Sequence, residues 1–281
     1  MKQKLRPLET AMNVVFLICG FIAIAFVLFI SIYLIVSGIP AIREIGLVDF
    51  LFGTEWASTA AEPAFGILPF ILTSIYGTAG AILIGVPVGF LTAMFLAKAA
   101  PARLAAVVRP AVDLLAGIPS VVYGLVGMIV LVPAIQRTFD LSSGACLLAA
   151  VIVLAIMILP SIINVSETAL RAVPHEYEEA SLALGATEME TSFRVVLPAA
   201  RSGVATAVVL GVGRAIGEAM AIIMVAGNVS NMPELFTPVR FLTTGIVSGM
   251  AYARVGSLYH QALYSIALVL FLFIMLINVF L

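Results

Sequence analysis

Charge is what this sequence has least of. Only 10% of its 281 residues are Asp, Glu, Lys or Arg, against about a quarter in an ordinary soluble domain. A surface so poor in charge is covered by lipid rather than by water. Cysteine is limited to two residues, histidine to two and tryptophan to one. Cys19 and Cys146 both fall inside apolar runs, where a thiol acts as a small buried hydrophobe, so no disulfide framework is implied. His175 and His260 lie far apart without companions for a metal set, and no Ser/His/Asp arrangement stands out. The Gly-x-x-x-x-Gly-Lys-Ser/Thr loop that cradles phosphates is missing, which excludes ATP binding of that kind. The stretch from Gly211 to Gly217 comes near a dinucleotide fingerprint, but its last glycine is displaced by one position and no strand precedes it. Enzymatic readings have no residues to rest on, and nothing implies a cofactor, a metal or a nucleic-acid partner.

What is present is hydrophobic: 63% of the chain, with a mean hydropathy of +1.20. Six apolar segments are long enough to span a bilayer: Ala11–Val36, Ser74–Leu96, Ala111–Val132, Cys146–Val165, Ser202–Ala226 and Gln261–Leu281. The first follows Lys2, Lys4 and Arg6, as a secretory signal would. Its apolar run, however, exceeds the roughly 7–15 residues of a signal core, and Ser37-Gly38-Ile39-Pro40 is a poor cleavage site, so it reads as a retained anchor. The sequence stops at Leu281 without a basic tail, so the last span ends almost flush with the membrane or is clipped.

Basic residues between the spans set the orientation. With the N-terminus inside, Lys2, Lys4, Arg6, Lys98, Arg103, Arg109, Arg171, Arg194 and Arg201 lie on the cytoplasmic side, and Arg43, Arg137, Arg240 and Arg254 outside. That imbalance predicts a multi-pass inner-membrane protein with its N-terminus in the cytoplasm. Trp56, in the outer loop 37–73, falls where an interfacial aromatic belt would lie. Gly85-x-x-x-Gly89 and Gly213-x-x-x-Gly217 place small residues on one helix face, which suits close helix packing.

Two constellations carry information. Arg214 and Glu218 lie in the middle of the fifth apolar segment, where a charge costs at least about 2.5–3.5 kcal/mol. Four residues apart on a helix, they share a face and can pair. They form either a packing salt bridge or a guanidinium that meets an anion, held and balanced by the carboxylate. A guanidinium is well suited to oxyanions because its donors form a planar fork. Asp113, Ser120 and Tyr123 on the third segment are candidates to line the same path, though Asp113 also suits a helix start.

The second constellation is the inner loop 166–201. It reads as helical up to Val173, breaks at Pro174, resumes from Glu176 to Leu184, turns at Gly185 and resumes to Val196. An exposed short helix with Ala180, Ala183, Leu184 and Ala186 between acids, tethered to two spans, suits docking in a groove of a cytoplasmic partner. Its bland alternative is a solvated amphipathic helix.

The spacing Glu179-Ala180-Ser181, three residues, Gly185, nine residues, Val195-Val196-Leu197-Pro198 resembles the EAA motif of ABC importer permeases. Ser181 stands where the second alanine is usual and Val195 where isoleucine is. Phe65–Phe70 (FGILPF), Leu114–Gly124 (LLAGIPSVVYG) and Gly211–Met220 (GVGRAIGEAM), running on to Gly227-Asn228, resemble the phosphate-specific PstC permeases over about residues 65–281. Ala219-Met220-Ala221 fits them better than the sister PstA permeases, and Ala219 and Asp113 depart from a commoner threonine and glutamate.

The resemblance implies an all-α, six-span type I ABC importer permease fold. Residues 1–65 would hold the cytoplasmic segment, first span and outer loop, and 66–281 the permease core. It implies a PstA-like sister permease, a PstB-like ATPase dimer docked on Glu179, Ala180, Ala183, Gly185, Leu197 and Pro198, and a PstS-like phosphate-binding protein outside. It places Arg214 and Glu218 on the route of inorganic phosphate. The rival expectations are an importer of another oxyanion (sulfate, molybdate or phosphonate) and a stand-alone channel or secondary carrier.

Overall fold

The computed structural model describes residues 6–280; Lys2, Lys4 and Leu281 lie outside the described residues, as does the side chain of Arg6. Helix α1 (Arg6–Ile45) leads into α2 (Leu47–Phe52) and a hairpin of two short strands, β1 (Trp56–Ala57) and β2 (Ala64–Phe65). The long helix α3 (Leu68–Met94) follows, then α4 (Ala102–Gly117), α5 (Ser120–Val126), α6 (Val132–Thr138) and α7 (Leu147–Arg171). The next group is short: α8 (His175–Ala183), α9 (Glu188–Thr191) and α10 (Leu197–Ala199). The chain ends with α11 (Arg201–Gly217), α12 (Met220–Val225), α13 (Leu242–Met250) and α14 (Leu258–Phe280).

Five helical stretches are long and apolar enough to cross a membrane, and a sixth is obtained when Glu188–Ala199 and Arg201–Gly217, bent by 74°, are taken together. The spans at α1, α3, α7 and α14 fall where the apolar runs place them. The expected third span, Ala111–Val132, is broken at Ile118-Pro119, and the apolar helix proper runs from Ser120 to Thr138. The expected fifth, Ser202–Ala226, is broken at Glu218-Ala219.

Helix α7 is the central post. Its 25 residues extend about 37 Å at 1.5 Å each,, and Leu154, Met157, Ile158 and Ile162 on it are fully buried. α3 lies against it because glycines line the contact. A Cβ added at Gly85 would meet Ile158 Cδ1 at 2.7 Å, and one at Gly89 would meet Ile162 Cγ2 at 2.9 Å. That pair of glycines is a packing stripe, as its spacing predicts. The other pair is not: a Cβ at Gly213 or Gly217 meets nothing within 4 Å. Their face of α11 is open.

Prolines shape the remaining irregularities. The helical chain widens into a π-turn at Phe95–Ala99, Gly127–Leu131 and Ser192–Val196, and in each case a proline (Pro101, Pro133, Pro198) follows two residues on. Proline offers no N–H and crowds the preceding turn, so the local ladder rearranges.

The two ends of the bundle differ. At one, which we call the basic end, Lys98 pairs with Glu178, and Arg109 and Arg171 both reach the Leu96 carbonyl in the π-turn that follows α3. At the other, the hairpin end, Trp56 packs edge-on to Phe65, with ring centroids 5.4 Å apart, and tilted against Phe70 and Tyr259. Trp56 is thus a partly buried element of the hairpin-end core. α1 is exposed along its apolar middle; it meets α14 near its end, where Ser265 Oγ donates to the Gly38 carbonyl at 2.6 Å.

Candidate functional site

The candidate site lies where two helices break beside α7. The first break follows from a missing donor. In a regular helix the Leu115 carbonyl would accept from residue 119, but Pro119 has no N–H. Instead Ile118 N approaches it at 3.3 Å, and the Tyr123 hydroxyl donates to it at 2.7 Å. Tyr123 therefore seals the break. Ser120 opens α5 just beyond the break and is half-buried.

No proline forces the second break. Gly213 and Gly217 in the last turns of α11 weaken the helix, each by about 1 kcal/mol relative to alanine. Glu218 then turns extended, with φ −74 and ψ 131. Its carboxylate Oε1 accepts from the Ala221 N–H at 2.9 Å, satisfying a donor at the start of α12. Its carbonyl accepts from the Thr243 hydroxyl at 2.7 Å. The expected pairing of Arg214 with Glu218 is therefore not formed. The side chains would share a face only if the helix continued, and among the described residues no ion pair joins them.

Arg214 instead donates from Nη1 to the Ser161 hydroxyl, at 3.2 Å. Among the described residues no other acceptor takes its remaining N–H groups. The result is a half-buried guanidinium beside the open face of Gly213 and Gly217, without a carboxylate of its own.

Among the described residues Asp113 forms no ion pair with Arg214. Its Oδ1 accepts from Asn164 Nδ2 at 2.9 Å, one turn of α7 nearer the basic end than Ser161. A further turn along, Glu167 Oε1 accepts from both Arg109 Nε at 2.7 Å and Arg171 Nε at 2.8 Å. Both guanidinium groups also donate from Nη2 to the Leu96 carbonyl at 3.0 Å. A cleft of about 460 Å³ opens here, lined by Arg109, Asp113, Asn164, Glu167, Thr168 and Arg171. Sequence reading missed Ser161, Asn164, Glu167 and this role for Arg109 and Arg171. The available signal was polar residues at 161, 164, 168 and 171, helical spacing within an apolar run.

At the basic end, α8 is held from the side. Glu178 pairs with Lys98, and the Ser181 and Thr191 hydroxyls lie 2.9 Å apart. Glu179, Ala180 and Ala183 point away from those anchors and are exposed, and Leu184 is 90% exposed. Gly185 has φ +88 and open space around its Cβ position; glycine takes that left-handed turn without penalty. Thr187 then starts α9 with a capping box to Glu190. Leu197 is half-buried and Pro198 exposed on α10, which leads into α11.

Residues 85–281 match the family model described as binding-protein-dependent transport system inner membrane component. A probable ABC transporter permease, YqgH of Bacillus subtilis, is 42% identical over 267 residues, covering 92% of this chain and 86% of that protein. The phosphate transport system permease PstC of Xylella fastidiosa (strain 9a5c) is 38% identical over 249 residues, covering 80% and 74%. Among solved structures, an inward-facing form of the MetNI methionine ABC transporter superposes with a TM-score of 0.56 at 22% identity, over 76% of this chain and 90% of that one.

Proposed function

The chain belongs to the binding-protein-dependent transport system inner membrane components, with the type I importer permease fold, and from that premise we propose that it is the permease subunit of an ATP-driven importer of inorganic phosphate. The observation that carries the reading is Arg214: a mid-span guanidinium with one neutral partner, Ser161, and donors to spare. An isolated cation there costs about 2.5–3.5 kcal/mol. A unit anion at about 4 Å gains about 4 kcal/mol at an effective dielectric near 20. A passing oxyanion can thus offset the penalty, and among the described residues no fixed carboxylate does so. The PstC names of several relatives favour phosphate over other oxyanions.

In this reading the basic end faces the cytoplasm, with the N-terminus inside. The open face of α11 at Gly213 and Gly217 meets a sister permease, and the path runs between the two chains. α8 docks on an ATPase dimer through Glu179, Ala180, Ala183 and Gly185, while Leu197 and Pro198 join it to α11. ATP binding closes the dimer, moves α8 and opens the path toward a binding protein outside. Phosphate released there meets Arg214 and leaves inward when the ATPase reopens. Glu218 acts by keeping the helix break in shape rather than by neutralising Arg214.

The test is purification from mild detergent with subunit identification, followed by phosphate uptake into vesicles. Co-purification of an ATPase, with uptake suppressed by excess phosphate but not by sulfate, molybdate or phosphonate, is the expected result. Transport that survives ATP depletion would make the chain a carrier instead.

A further inference from the structure

Four polar side chains of α7, at Ser161, Asn164, Thr168 and Arg171, are spaced three, four and three residues apart. At 100° per residue they fall within about 80° of one another and span about 15 Å along the axis. Exposure rises along this stripe: Ser161 and Asn164 are half-buried, Thr168 and Arg171 exposed. The first two steps are matched from neighbouring helices, by Arg214 of α11 at Ser161 and by Asp113 of α4 at Asn164. The stripe ends at Arg109 and Arg171.

We infer that this stripe is the inward route of the anion, and that the cleft of Arg109, Asp113, Asn164 and Arg171 is an exit station selective for oxyanions that carry a proton. The inference rests on the reading of the chain as an importer of inorganic phosphate. Each arginine commits its Nε to Glu167 and one Nη2 hydrogen to Leu96, which leaves three N–H donors on each for a ligand. Two guanidinium charges stand against the carboxylates of Glu167 and Asp113, so the station is neutral overall. Weak holding is what an exit needs, since a transported ion must be able to leave. Asp113 supplies the selectivity. Its Oδ1 is held by Asn164, and among the described residues Oδ2 has no donor. Near neutral pH inorganic phosphate still bears a proton and can donate it to that oxygen. Sulfate has none to offer, so beside the same arginines it meets repulsion from that carboxylate instead of a hydrogen bond.

The experiment uses the purified complex in nanodiscs without nucleotide, carrying Arg214→Ala so that the mid-span cation does not contribute. Binding of labelled inorganic phosphate and of sulfate is measured by equilibrium dialysis. Adding Arg109→Gln and Arg171→Gln together should weaken phosphate binding at least about tenfold. Asp113→Asn, nearly isosteric and still able to accept from Asn164, should lower the phosphate-over-sulfate preference about tenfold. Phosphate binding untouched by the arginine pair, or a preference untouched by Asp113→Asn, overturns the inference. Uptake by the unaltered complex is assayed in parallel. If it carries phosphate while the cleft variants bind normally, only the exit station falls; if it carries no phosphate, the importer reading falls with it.

Discussion

At the scale of single residues, Arg214 and Glu218 illustrate how a helix break reassigns roles. Their spacing suggests a pair, but the chain leaves the helix at Glu218 and the carboxylate turns to the Ala221 N–H. Two predictions separate charge from shape. Arg214→Ala should reduce phosphate uptake at least about a hundredfold, consistent with losing a contact worth about 4 kcal/mol, while subunits still co-purify; uptake near normal would remove Arg214 from the path. Glu218→Gln should retain most uptake, because an amide oxygen still accepts from Ala221, whereas Glu218→Ala loses that acceptor and a stabilisation of about 1 kcal/mol. Equal loss in the two variants, measured as initial uptake rate, would mean that the negative charge itself is required.

At the scale of elements, glycine has opposite meanings in different helices. Gly85 faces Ile158 so closely that a side chain cannot fit, and Gly85→Val should lower the melting temperature and the membrane yield of the chain. Gly185 faces open space but turns at φ +88, so Gly185→Asp meets no clash and should lower stability only by the cost of a left-handed non-glycine residue, about 1 kcal/mol. It should nonetheless abolish ATP hydrolysis stimulated by the binding protein, because the added group intrudes on a docked partner. Undiminished stimulation would end the docking role of α8. These elements were largely legible in the sequence. Long apolar runs mark α1, α3, α7 and α14, and Pro174 and Gly185 bracket α8, because length, proline and glycine act locally. The breaks at Pro119 and Glu218 were less so. Pro119 lies inside a run that reads as one span, and the carbonyl freed at Glu218 finds its donor in Thr243, 25 residues on. The polar cleft draws Arg109 of α4 and Glu167 of α7 together beside the Leu96 carbonyl, just beyond α3, a convergence that no local pattern in the sequence announces.

At the scale of the whole molecule, the issue is which end faces the cytoplasm, since every role assigned above reverses if the bundle is inverted. The fold gathers Lys98, Arg109 and Arg171 at one end, with the exposed surface of α8. Arg240 lies at the other, its guanidinium engaged by the Asn228 carbonyl at 2.6 Å and stacked over Phe70. Short loops rich in Lys and Arg stay inside, so the basic end should be cytoplasmic, where an ATPase can reach α8. Single cysteines test this in a background lacking Cys19 and Cys146. Tyr252, 88% exposed in the turn between α13 and α14, should react as Tyr252→Cys with a membrane-impermeant maleimide on intact spheroplasts. Ala102, exposed at the start of α4, should react as Ala102→Cys only after permeabilisation. The reverse pattern would place α8 outside, beyond the reach of any ATPase, and the coupling scheme could not operate.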